Sequence, residues 1–210
     1  TFSTTPDNAT SSTERVRIDK DGRVGIGNTA MSSYNGASND LVVGNHTGAH
    51  GLTIASQSNS SGYIMFADGT SGQQQYEGQI QYNHDQNFMR AFTAGNEVMR
   101  LDSAGRLLLG TTTEGYPDAD NFTLADSGHC GITIRSGTTS DGAIYFSDGT
   151  TGNAEYRGYL LYDHDGDHLA FGTGAVERFR ITSTGAWSIE GANNYGTSGQ
   201  VLTSNGNDAP

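Results

Sequence analysis

One cysteine, one lysine and three prolines among 210 residues set the first limits on this chain. A lone Cys130 cannot close an intrachain disulfide. Its place beside the apolar Gly131-Ile132 stretch reads as a small buried hydrophobe, with no cation nearby in sequence to make it a reactive thiolate. Basic residues are scarce as well: 11 Lys and Arg stand against 23 Asp and Glu, for a net charge of −12. With no basic cluster interleaved with aromatics, a nucleic-acid partner and a polybasic membrane surface are both disfavoured. No apolar run approaches the roughly 18 residues of a membrane span, and no signal peptide is recognisable, so membrane insertion is not expected. The first residue, Thr1 in place of Met, reads as a fragment, a processed chain or part of something longer. Helix signals are absent throughout.

Apolar residues are also in short supply, at 33% with a mean hydropathy of −0.53, while glycine reaches 30 residues. A single copy of such a chain has little to bury. What the chain has instead is repetition. The segment from Gly51 (GLTIASQSNSSGYIMFADGTSGQQQYEGQIQYNHD) returns without a gap from Gly131, at an offset of 80 residues. Ile64 matches Ile144, Tyr82 matches Tyr162, Glu97 matches Glu177 and Arg100 matches Arg180. A partial third copy opens the chain, where Glu14 to Ile18 and Gly22 to Gly27 match Glu97 to Leu101 and Gly105 to Gly110 at an offset of 83. The three extra residues are expected in the loop around Ser32 to Asp40. This organisation gives an N-terminal arm (1–13), a partial repeat with connector (14–50), repeat unit one (51–111), a connector (112–130), repeat unit two (131–191) and a C-terminal linker (192–210).

Short segments bounded by Gly, Asn, Asp and Ser predict an all-β fold of short antiparallel strands and hairpins. In unit two the strands are expected near 131–135, 142–146, 156–162, 167–171, 176–181 and 186–190, and unit one repeats them 80 residues earlier. Alternation puts Tyr76, Gly78, Ile80 and Tyr82, with Tyr156, Gly158, Leu160 and Tyr162, on one face, predicted to be the dry core. The pairs Val16/Ile18, Met99/Leu101, Phe179/Ile181, Val24/Ile26, Leu107/Leu109 and Trp187/Ile189 are expected to point the same way. The opposite face changes freely between copies and reads as solvent or a variable contact surface. Since one copy is short of core, association of identical chains around a common axis is the economical way to supply it, with burial between successive repeats as a partial alternative.

The string from Glu14 to Thr29 (ERVRIDKDGRVGIGNT) resembles the ERMRIDSSGNVGIGTT-type repeat of tail-fibre and tail-spike-like structural proteins of tailed bacteriophages. Phe146 to Gly158, with Tyr162-Asp-His164, is similar to the other half of that unit. Gly196 to Gly206 resembles the segment that in that family leads into a tip or a trimerisation chaperone. Departures occur at Gln73-Gln74-Gln75 and at Ala186-Trp187-Ser188, the latter suggesting a shaft that ends there. The resemblance implies an elongated homotrimeric shaft, intertwined or stacked in β-prism or β-helix fashion. It also implies residence in the virion tail, other tail proteins as partners, a role in host attachment and no enzymatic activity. A glycan hydrolase or lyase of the tail-spike kind, and a capsid or neck fibre without an adhesion role, are the alternatives.

Chemistry-bearing residues are few. Asp163-His-Asp-Gly-Asp-His168 superficially resembles a calcium loop, but His168 and Gly174 stand where an EF-hand needs Gly and Glu. A solvated hairpin turn is the favoured reading and a weak divalent-cation site the other. Glu14, Glu97 and Glu177 each precede Arg17, Arg100 and Arg180 by three residues. Such reuse suggests interchain or cross-strand ion pairs as architecture, with no catalytic role. The non-recurrent acids Glu114, Asp118, Asp120 and Glu190 lie in connectors, where a catalytic carboxylate pair is not expected. No catalytic residue, metal ligand or cofactor is assigned. If the segment touches a bacterial surface glycan directly, Phe88, Phe92, Tyr159 and the turn carrying Asp163, Asp165, Asp167 and His168 are the candidates, with trimer contact as the rival role for the aromatics. Tyr82 and Tyr162 are counted with the Glu and Arg positions as recurrent structural residues.

Overall fold

Turn chemistry dictates where this chain reverses. Ala94 and Gly95 have φ of 48° and 70°, and Gly174 and Ala175 have 63° and 62°. Two successive left-handed residues make the tight turn whose twist matches a hairpin. The computed structural model describes residues 1–5 and 10–189. Pro6, Asn8, Glu190 and the expected linker 192–210 lie outside them. The chain divides into two units, Thr1–Cys130 and Gly131–Pro210.

The first unit holds two sheets. In one, β1 (Phe2–Thr4), β2 (Thr13–Ile18), β3 (Val24–Ile26) and β4 (Leu41–Val43) lie side by side in sequence order. In the other, β5 (Ser61–Phe66), β6 (Gly78–Asn83), β7 (Phe88–Thr93), β8 (Asn96–Leu101) and β9 (Leu107–Leu109) form an antiparallel meander, and β10 (Phe122–Leu124) joins β9 in parallel. The second unit repeats the meander as β11 (Asp141–Phe146), β12 (Gly158–Asp163), β13 (His168–Thr173), β14 (Val176–Ile181) and β15 (Trp187–Ile189). The fold is therefore all-β, with no α-helix among the described residues. Val24 pairs with Leu41 whereas Leu107 pairs with Phe122, which puts two of the three extra residues of the first copy between β3 and β4.

Several expectations are corrected. Residues 131–135 form no strand; Ile134, like Ile54 in the other unit, lies against the glycine at the start of the neighbouring hairpin, Gly142 or Gly62. Short 3₁₀ turns occupy Gly72–Gln75 and Gly152–Tyr156, so Tyr76 and Tyr156 precede their strands instead of opening them. Cys130 is exposed, because no strand carries it inward; its Sγ lies 3.6 Å from the Leu124 carbonyl oxygen.

The largest correction concerns the covered face. Cross-strand register confirms that Ile64, Ile80, Ala91, Met99 and Leu109 form one row and Tyr82, Met89, Leu101 and Leu107 the next. Yet Ile64, Ile80 and Met89 remain 44%, 44% and 42% exposed, and Phe146 and Trp187 of the second unit 65% and 66%. Burial lies on the other face, along the row Gln81, Arg90, Arg100 and Leu108, where Gln81 is 3% and Leu108 1% exposed. Its counterparts Gly25 and Val42, Ala170 and Ser188, are likewise buried. Long Arg, Glu, Phe and Tyr side chains lying flat cover that row, whereas the aliphatic rows are covered only in part, by the segments carrying Ile54 and Ile134.

Alanine is strained in a left-handed turn where asparagine is tolerated. Ala94→Asn, which creates the favoured Asn-Gly turn, is expected to stabilise the hairpin by about 1 kcal/mol. The urea midpoint at fixed chain concentration should rise; an unchanged or lower midpoint would contradict the turn assignment.

Candidate functional site

A strand places residues i and i+3 on opposite faces, so Glu97 and Arg100 should not meet. A bulge brings them together. Ala91 pairs with Met99 but Phe92 with Glu97, leaving Val98 unpaired and returning Glu97 to the face of Arg100. The same slip skips Arg15 beside Glu14 and Arg178 beside Glu177. The result is a two-pronged pair within one strand. Arg100 donates from Nε to Glu97 Oε1 at 2.6 Å and from Nη2 to Oε2 at 2.9 Å. Arg17 donates to Glu14 at 2.6 and 2.8 Å, and Arg180 to Glu177 at 2.8 and 2.6 Å. Within the chain the recurrent pair is thus closed inside one strand by the bulge and, among the described residues, Glu97 alone of the three glutamates is also joined across strands, by Arg90.

In the first unit this pair anchors a wider network. Arg90 donates to Glu97 Oε2 at 2.8 Å and to Gln81 Oε1 at 2.5 Å, and Gln81 donates to Ser61 Oγ and Tyr63 Oη at 2.8 and 3.1 Å. The Arg90 guanidinium lies over both Phe88 and Phe92, 5.2 and 4.8 Å from their ring centres, and Arg100 is 4.2 Å from Phe88. Phe88 is consequently 6% exposed and cannot serve as a surface contact, and Phe92 is half-buried. Burial pushes the Glu97 carboxyl up, but the hydrogen bonds and charges of Arg100 and Arg90 outweigh it, holding the group below its ordinary value.

In the second unit the same face is rebuilt. Tyr159 is half-buried, its ring lying over Gly172, where a β-carbon would collide with it. Tyr145 sits 6.4 Å from both Tyr159 and Tyr156, edge to face. Sequence reasoning named Tyr159 and missed Tyr145, the partner that strand register sets directly opposite it.

The Asp163 to His168 hairpin turn divides its residues between two environments. Asp163 Oδ1 accepts the backbone N–H groups of Asp165 and Gly166 at 2.7 and 2.9 Å, which lowers its pKa despite partial burial. Asp165 and Asp167 are exposed. His168 is not: it is 8% exposed and lies under the turn at the edge of a groove, so it does not project outward as expected. No group of three or more His, Cys, Asp or Glu that could hold a metal occurs among the described residues. Tyr82 and Tyr162 pack edge to face on His84 and His164, each pair 4.9 Å apart, and their hydroxyls donate to Asn87 and Asp167 at 3.3 Å. These pairs brace the hairpin ends identically in both units.

The aliphatic face carries a matched depression in each unit. One is lined by Ile54, Ile64, Ile80, Tyr82, His84 and Met89, and the other by their repeat counterparts Ile134, Ile144, Leu160, Tyr162, His164 and Leu169. In the second unit Phe171, Phe179 and Trp187 extend it as an aromatic ladder, with centroids 5.6 and 5.9 Å apart. A scan against protein-family models finds no match, and neither does a search of the curated proteins.

Glu97→Gln leaves two guanidinium groups without their anion and is expected to cost about 1–3 kcal/mol at neutral pH. Because the folded carboxyl titrates below its ordinary value of 4.5, its contribution is complete above that pH and disappears as pH falls through the folded value. Urea unfolding at pH 7 and in acid should therefore show the variant's deficit shrinking on acidification. A deficit independent of pH would contradict the network's electrostatic role.

Proposed function

We propose that this chain is a structural segment of a bacteriophage tail fibre, a homotrimeric shaft that projects from the virion and supports host-cell adhesion. The observation that carries this reading is the aliphatic face left open at corresponding positions of the repeated sheets. An exposed apolar surface that recurs with the repeat suits burial against further copies of the same chain, since each copy then meets the others through equivalent rows. The low apolar content and the resemblance of the Glu14 to Thr29 string to tail-fibre repeats support the same conclusion. Three chains can close around their aliphatic faces and leave the Arg- and Tyr-bearing faces outward, as an elongated adhesive shaft requires.

The reading assigns the work of the protein to mechanics and multivalency. Closed Glu–Arg pairs stiffen the outward face, and the hairpin end braced by Tyr82 in one unit recurs with Tyr162 in the other. Weak contacts repeated over several fibres raise avidity by roughly 10²–10⁴ without a deep pocket. No catalytic residue is part of this account.

Immunogold electron microscopy with antibody against the chain tests it on virions that carry the protein. Labelling of tail appendages, with antibody fragments slowing adsorption to the host, is the expected result. Labelling confined to capsid or neck, or cleavage of host surface glycan by the purified chain, would overturn it.

A further inference from the structure

The three copies share one backbone turn before their last antiparallel strand, yet one copy lacks the ion pair that closes over it. In the first, Asp19 N donates to the Arg23 carbonyl at 3.0 Å and the Arg23 guanidinium returns to Asp19 Oδ2 at 2.8 Å. In the next, Asp102 and Arg106 do the same at 3.1 and 2.7 Å, and Arg106 also reaches Asp120 at 2.8 Å. The third keeps the backbone bond, Thr182 N to Ala186 O at 3.0 Å, and the Thr182 hydroxyl accepts Ala186 N at 3.0 Å as the Asp19 and Asp102 carboxylates accept Arg23 N and Arg106 N, but no guanidinium closes over the turn. An open groove of about 610 Å³ lies there, within the roughly 300–1,000 Å³ typical of small-molecule sites.

Its lining is polar and mixed. Asp163, His168 and Arg180 face the hydroxyls of Thr182, Ser183 and Thr184 across it. His168 takes the place that Phe88 fills in the other unit, and Gly166 makes room for it, since a β-carbon there would stand 2.8 Å from His168 Nδ1. Although 8% exposed, the His168 ring makes no hydrogen bond among the described residues; its nearest charged neighbour is Asp163 Oδ2, at 3.7 Å. Because no buried side-chain nitrogen or oxygen among the described residues lacks a partner, the unbonded ring nitrogens reach solvent, and the groove that His168 lines is where a ligand would meet them.

The charges select the ligand class. Arg180 is held by Glu177, and Asp163 and Asp165 carry the opposite sign, so a phosphate or carboxylate would meet no net positive field. The two carboxylates and one imidazole of the lining do not come together as a group that could hold a metal ion, so a dedicated cation cage is not formed. Donors and acceptors alternating around a wet, open groove match a neutral polyol. We infer that this groove of the second unit binds a saccharide, with His168, Asp163 and the Ser183 and Thr184 hydroxyls hydrogen bonding to its hydroxyl groups. The groove and its lining belong to the face opposite the aliphatic rows, so self-association through those rows leaves it open. The inference gives the adhesive reading a ligand class and a location, and it rests on that reading for its biological meaning only.

Saturation-transfer NMR on the full chain with glucose, galactose, rhamnose and N-acetylglucosamine in turn provides the test. Transfer to at least one sugar, with dissociation constants near 1 mM or weaker, is expected. The double substitution Thr182→Asp with Ala186→Arg rebuilds the clamp already present in the other two copies and should weaken binding at least tenfold. His168→Phe, which installs the residue of the other unit, should do the same should the double variant fail to fold. No transfer to any of the four, equal transfer to a folded closed variant, or a response to calcium chloride or inorganic phosphate alone would overturn the assignment. A trimer that binds no sugar defeats this site alone, and a monomer that binds sugar defeats the fibre reading alone.

Discussion

A sheet one layer thick has two faces and only its own side chains to cover them. That constraint governs each of the two repeated meanders. Each meander places its aliphatic residues in continuous rows on one face and its long polar and aromatic residues on the other, and only the second set is long enough to lie down over the backbone. The face with the lower intrinsic solubility is the one left uncovered. At about 25 cal/mol per Å² of apolar surface removed from water, covering it is the largest stabilisation still available to this chain.

The polar face shows how a repeat can be strengthened without a core. A bulge of one residue in β2, β8 and β14 turns a Glu and an Arg three positions apart into a two-pronged pair, and the pair then organises its neighbours. In the first unit it recruits Arg90, Phe88 and Gln81 into a nearly buried network; in the second, Ala170, His168 and Leu161 replace them and Tyr159 supplies the missing volume. The backbone frame is held constant while the surface it displays changes. Such a frame lets one copy lose its Asp–Arg clamp at Thr182 and Ala186, and gain a groove, without altering the turn beneath.

Much of this was legible in the residues. The offset of 80 matched the hairpins of the two units one for one, and two-residue alternation sorted Ile64, Ile80, Tyr82 and Met89 onto one side correctly. What alternation cannot say is which side is covered, because that depends on what lies above the sheet. The aliphatic face was read as the dry core, to be completed by neighbouring copies, and within one chain it remains largely exposed. The Glu–Arg positions were noticed but not their closure within one strand, since i and i+3 share a strand face only when a bulge shifts the register, and a bulge leaves little mark in sequence. Phe88 was taken as outward because its face is polar, although two guanidinium groups cover its ring. The groove had a visible signal that went unread: Asp19 and Asp102 become Thr182, and Arg23 and Arg106 become Ala186.

The central claim is that the open aliphatic rows are covered by other copies of this chain. Multi-angle light scattering of the purified native chain addresses it directly. A single species near three times the chain mass of 22.2 kDa, persisting on dilution, is the result this account predicts. A cooperatively folded monomer with its aliphatic rows still exposed to water would contradict it.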